Sequence, residues 1–183
     1  MLPILPSLAI VSALSLAPPA AAERQSATVT LEAGESVVVT LDDGGRPHET
    51  ARGAAPRLSR FEAAAVWNLT RGVYGEAVGP ESARIVAGED GVPVAPAIAP
   101  GAVRIKLVSL GPDSTLLVLE NGYDRGLSYR ATIAAPGEAV ATDVCQVMPR
   151  RFSLEHWPYR ITRLELSGFR LVPWIEGQDP ICE

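Results

Sequence analysis

The feature that most constrains this chain is a period-two alternation of apolar and polar residues, recurring in short runs from Ala27 almost to the C-terminus. Ala27, Val29 and Leu31 alternate with Thr28 and Thr30; after Ala33-Gly34-Glu35-Ser36, Val37, Val39 and Leu41 alternate with Val38 and Thr40. Successive side chains of a strand point to opposite faces, so these runs predict strands with one face on a core. Val103, Ile105 and Leu107 alternate with Arg104 and Lys106, and Leu127, Tyr129, Ala131 and Ile133 make a further run. Thr115 to Glu120 is apolar at almost every position, which predicts a central strand covered on both faces. Ile161, Leu164, Leu166, Phe169 and Leu171 supply a last strand or pair of strands, broken at Ser167-Gly168.

Turn-forming clusters separate the runs: Asp42-Asp43-Gly44-Gly45, Gly111-Pro112-Asp113-Ser114, Asn121 to Gly126, and Pro136-Gly137. Further strands are expected at Ser82 to Ala87 and at Val140 to Val147, and Val92 to Gly101, with three prolines, reads as an extended connector. This spacing predicts a mainly β fold over residues 23–183: one antiparallel β-sandwich of immunoglobulin-like or related topology, with a small β-barrel as the alternative.

Two stretches resist the strand pattern. Arg46 to Arg57 is polar, carries Pro47, Gly53 and Pro56, and reads as a loop. Ser59-Arg60-Phe61-Glu62 has the form of a capping box, and Leu58, Phe61, Ala65, Val66 and Leu69 share one helical face. Phe61, Ala63, Ala65, Trp67 and Leu69 also alternate as a strand would, but the cap and the alanine run favour one short helix near 59–70.

The first 22 residues contain no charged side chain. Leu2 to Ala17 is apolar, and Ala20 and Ala22 supply the small residues that a signal peptidase requires, so cleavage after Ala22 and export to the periplasm or beyond are expected. A stretch broken by Pro3 and Pro6 falls short of the roughly 20 residues that span a bilayer core, so no stable membrane insertion is expected after cleavage. In an oxidising compartment Cys145 and Cys182, with no metal-ligand spacing around them, read as one structural disulfide.

Charge narrows the partners. The net charge is -5 and Lys106 is the sole lysine, which disfavours nucleic acid, since binding it requires a basic face. The abundance of Arg, Ala, Gly and Pro fits a GC-rich bacterial genome. Cys145, Cys182, His48 and His156 lack the spacing of a zinc site, and no cofactor or metal is expected. A nucleophile elbow, an S-x-x-K pair, an H-E-x-x-H helix and a phosphate-binding glycine loop are all absent from the sequence.

One segment is chemically denser than the rest. Glu155-His156-Trp157-Pro158-Tyr159-Arg160 gathers an acid, an imidazole, two aromatics and a guanidinium, and with the stretch that Pro149 and Pro158 bracket it reads as a surface loop able to meet a sugar ring or a protein. The loop with Tyr123, Asp124 and Arg125 is the second candidate, while Trp67 and Trp174 read as packing residues. A non-catalytic exported binding or accessory module is the expected class, with another exported protein or a carbohydrate as partner. An inhibitor or adaptor of an exported protein and a divergent hydrolase are the alternatives.

Overall fold

The computed structural model describes residues 27–74, 97–135 and 138–183. The expected leader, the strand expected at Ser82 to Ala87 and the Pro136-Gly137 turn lie outside the described residues.

The alternating runs become strands β1 (Val29–Glu32), β2 (Glu35–Leu41), β4 (Val103–Ser109), β5 (Thr115–Asn121), β6 (Gly126–Ala135) and β9 (Arg163–Val172). The strand expected at Val140 to Val147 is instead β7 (Glu138–Thr142), beyond which Cys145 and Val147 form only isolated bridges. Between β2 and β4 come β3 (Pro47–Ala54) and a helix, α1 (Arg60–Tyr74), and β8 (Phe152–Trp157) precedes β9. Two antiparallel sheets form, one in the order β1-β9-β6-β7 and the other in the order β3-β2-β4-β5-β8. They remain separate sheets, so the fold is the expected sandwich and the barrel alternative is not formed.

Between the sheets, inward residues of both interleave: Leu31, Val37, Val39, Ile105, Leu107, Leu117, Leu119, Leu127, Leu164 and Leu166 are fully buried. Each such side chain contributes about 1.5–3 kcal/mol relative to exposure. The break expected at Ser167-Gly168 is a bulge within a single strand. Arg130 faces Ser167 and Ser128 faces Arg170, so β9 carries an extra residue there. Gly168 adopts φ 63°, which glycine tolerates, and the slip returns Phe169 to the core after Leu164 and Leu166.

The loop expected from Arg46 to Arg57 is largely β3. Its residues are polar because it is an edge strand, hydrogen-bonded to β2 on one side and exposed along nearly its whole length. Pro47 sits at its first position, where a missing N–H disturbs no ladder.

Residues 59–70 do form a helix, and α1 continues to Tyr74. Its first turn closes as a capping box: the Glu62 amide donates to the Ser59 hydroxyl at 3.2 Å, and the Ser59 amide donates to the Glu62 carboxylate at 2.7 Å. The buried stripe differs in part from the expected one. Glu62, Val66 and Thr70, spaced by four, are buried, whereas Leu69 is 47% exposed.

The helix lies on the outer face of the five-stranded sheet. There Val66 packs with Leu116 and Val118, and Leu58, Leu110, Phe152 and Leu154 complete a second apolar cluster. Strand β5 is therefore covered on both faces, by the inter-sheet core and by α1, as its continuous apolarity requires. No helix of the described residues is long and apolar enough to cross a membrane.

Candidate functional site: a charged cleft beneath the helix

Strand register sets the floor of the site. Arg104 on β4 lies opposite Glu120 on β5, and Glu120 lies opposite Phe152 on β8, so the three side chains stand in one row on the outer face. Lys106 and Leu154 flank Val118 in the next row. The start of α1 lies above, with the Phe61 ring 5.0 Å from the Phe152 ring at an interplanar angle of 80°. Phe61, Glu62, Ile98, Glu120, Arg150, Arg151 and Phe152 enclose an open cavity of about 380 Å³.

Four of the cleft charges are paired. Lys106 reaches Glu62 at 2.5 Å with both side chains 4% exposed, and Arg104 donates to Glu120 at 3.1 Å. Burial acts to raise the Glu62 carboxyl, but the Lys106 ammonium and the Ser59 donor outweigh it and hold the group below its ordinary range. For Glu120 burial prevails, aided by the neighbouring Glu62 charge, and its carboxyl is raised despite Arg104 and Lys106. The two acids and two bases cancel in charge.

The cleft's other two cations, Arg150 and Arg151, stand at the rim. Among the described residues no carboxylate pairs with either; Arg151 makes one long 3.5 Å contact, with the Arg150 carbonyl. Arg150 has φ 54°, the sole positive value among described non-glycine residues. The turn is fastened from below. The Arg150 amide donates to the Tyr123 carbonyl at 3.0 Å, and the Asn121 amide donates to the Arg151 carbonyl at 2.8 Å.

Asn121 is the fastening residue of this end of the sandwich. Its buried side-chain amide donates to the carbonyls of Arg125, Val147 and Met148, and its oxygen accepts from the Tyr123 amide. Gly122 follows, and its backbone is hydrogen-bonded on both sides to the 101–102 segment. A β-carbon at Gly122 would lie 1.9 Å from the Ala99 carbonyl oxygen, so only glycine lets this segment approach and set Ile98 against the cleft.

The residues expected from sequence are divided between faces. The stretch bracketed by Pro149 and Pro158 is an edge strand rather than a loop, because both prolines fall outside the six residues that pair with β5. Alternation then sends Glu155 and Trp157 inward and His156 to the helix side. Trp157 is 6% exposed and belongs to the inter-sheet core, where its indole N–H donates to the Thr142 hydroxyl at 3.2 Å.

Glu155 accepts from the Cys145 amide at 3.2 Å, and burial raises its carboxyl. Burial and the neighbouring Glu155 charge together push the Tyr129 phenol far above its usual range, so that it stays neutral. His156 is 2.8 Å from the Ser114 hydroxyl, and burial lowers its imidazole. Tyr159 is exposed.

In the second candidate loop, Tyr123 is a fastener, its hydroxyl accepting from the Leu41 amide at 2.7 Å, while Asp124 is exposed. Cys145 and Cys182 form the expected disulfide. Backbone bonds from Val144 and Gln146 to Glu183 and Ile181 lay the tail beside it. No group of three or more metal-ligating side chains occurs among the described residues.

Sequence reasoning missed Glu62, Arg104, Lys106, Glu120, Arg150 and Arg151. A signal existed for the first four: opposite charges standing outward on successive predicted strands, beside a capping acid. The chain was compared with models of protein families, with curated proteins and with solved structures, and none of them matches it.

Proposed function

We propose that the protein is a non-catalytic, exported binding module that takes its ligand in the cleft beneath α1. The observation that carries this reading is the cavity of about 380 Å³, apolar on Phe61, Phe152 and Ile98 and polar on a few placed charges. Small-molecule sites are concave, partly apolar and oriented by a small number of polar groups, with volumes of about 300–1,000 Å³. Export is supported by the apolar leader and by the disulfide. A binding role needs no nucleophile and base, and the charges of the floor are engaged with one another.

A crystallographic fragment screen of the oxidised protein tests the reading. Fragments should collect between Phe61, Phe152 and Arg150. Fragments that gather elsewhere, or nowhere, overturn it. A second reading, capture of another exported protein, is favoured by the exposed Tyr159 just past the end of edge strand β8. It predicts that Tyr159→Ala weakens that capture with no change in thermal stability, and that the cleft stays empty in the screen.

A further inference from the structure

The cleft also carries information about the chemistry of its ligand. We infer that it takes a small molecule with an aromatic or apolar body and one anionic group, the body between Phe61 and Phe152 and the anion at Arg150 and Arg151. This assignment rests on the proposed binding role and goes further by naming the ligand class.

Charge balance comes first. Glu62 is engaged with Lys106 and Glu120 with Arg104, and these pairs sum to zero. Of the cleft's charged groups, that leaves the two rim guanidiniums, which no described carboxylate neutralises. A cation entering the cleft would meet two guanidiniums and find each carboxylate already engaged. An anion would meet two adjacent forks of the kind that bind carboxylate, sulfonate or phosphate in a bidentate way.

The backbone gives independent support. A non-glycine residue with φ 54° is held in a sparsely populated region, and such residues persist where the surroundings over-determine them. Here the surroundings are the bonds from the Arg150 amide to Tyr123 and from the Asn121 amide to Arg151. Turn geometry alone would favour glycine at position 150. A guanidinium there is carried on a backbone already pinned, so only side-chain freedom is lost when it meets a ligand.

The body of the ligand follows from the other wall. Phe61 and Phe152 meet edge to face and leave ring surface toward the cavity, with Ile98 beside them. Neutral sugars would find few uncommitted hydrogen-bonding groups there.

Three probes sharing one ring system separate the possibilities: naphthalene-2-sulfonate, the uncharged naphthalene-2-sulfonamide and the cationic 2-naphthylmethylammonium, each titrated calorimetrically into the oxidised protein. The sulfonate should bind at least about tenfold more tightly than the sulfonamide, and the ammonium more weakly than both. Arg150→Gly suits the positive φ and keeps the turn, and with Arg151→Gln it should erase the preference for the sulfonate while binding of the sulfonamide persists. Equal affinity for sulfonate and sulfonamide, tighter binding of the ammonium, or a sulfonate preference that survives the double variant overturns the anion assignment and leaves the cleft as a binding site. Absence of binding by all three overturns both readings.

Discussion

Lys106→Met removes the cation on which the cleft floor depends. The Lys106 side chain is 4% exposed and sits against Glu62, which is equally buried. Without the ammonium, Glu62 either stays charged in a buried site, at a cost of about 3–5 kcal/mol for a broken buried pair, or takes up a proton. Protonating a carboxyl of ordinary value 4.5 at about pH 7 costs 1.36 kcal/mol per pH unit, about 3.4 kcal/mol, and that sets the ceiling.

The expected loss is thus about 3 kcal/mol at about pH 7. The sign of the pH dependence follows. In the native protein Glu62 is held below its ordinary value, so its contribution is present above that value and is lost as pH falls through the lowered one. In Lys106→Met the protonated carboxyl costs about 1.36 kcal/mol for each pH unit above its ordinary value of 4.5, so the gap between variant and native protein already narrows from about pH 7 to about pH 5, before the native contribution is lost.

Glu62→Gln retains an oxygen for the Ser59 amide, and the double variant carries neither charge. It should recover most of the loss, since replacing both members of a buried pair is often near neutral. Urea unfolding of the native protein, the two single variants and the double at about pH 7 and about pH 5 completes the cycle. A double variant whose loss equals the sum of the single losses, or a Lys106→Met loss independent of pH, would refute the reasoning.

Trp157→Ala should cost about 3–5 kcal/mol in urea unfolding, because the side chain is 6% exposed within the inter-sheet core; a loss below about 1 kcal/mol would place it at the surface. Reduction of Cys145–Cys182, which are 37 residues apart, should cost roughly 4 kcal/mol on the chain-entropy account. Hydrogen exchange should then rise first at the Val144, Gln146 and Glu183 amides, which hold the tail in place, and amides that stay protected after reduction would count against the disulfide as its fastening. Glu155 has a raised folded-state value, so its folded-state advantage is full below the ordinary carboxyl value and is lost as pH rises through the raised one. Glu155→Gln should therefore be more stable than the native protein at about pH 8 and match it near pH 4, read from thermal midpoints; no gain at the higher pH contradicts the burial of that charge.

Period-two patterning made most of the fold legible, because burial between two sheets imposes the same alternation on Val37 and Val39 as on Ile105 and Leu107. The capping box showed the helix for an equally local reason, the mutual hydrogen bonds of Ser59 and Glu62. Strands β3 and β8 were illegible as strands. The first is an exposed edge with no face to bury, and the second lies between prolines that touch none of its ladder.

The candidate site was largely hidden, since its residues come from α1, β4, β5, β8 and two connections and are assembled by register and by helix placement. The dense cluster from Glu155 to Tyr159 misled for the converse reason. Adjacency along a strand sends neighbours to opposite faces, so Trp157 and His156 do not share a surface.

The sequence has three phenylalanines, and the fold sorts them: Phe61 and Phe152 line the cleft while Phe169 lies 3% exposed in the core between the sheets. Fluorine NMR of protein labelled with 4-fluorophenylalanine therefore reads the cleft with its own internal control. During titration with a pool of small aromatic fragments, the Phe61 and Phe152 resonances should shift with saturation while that of Phe169 stays fixed. Shifts shared by all three, or confined to Phe169, or absent throughout, would contradict the cleft as the binding site.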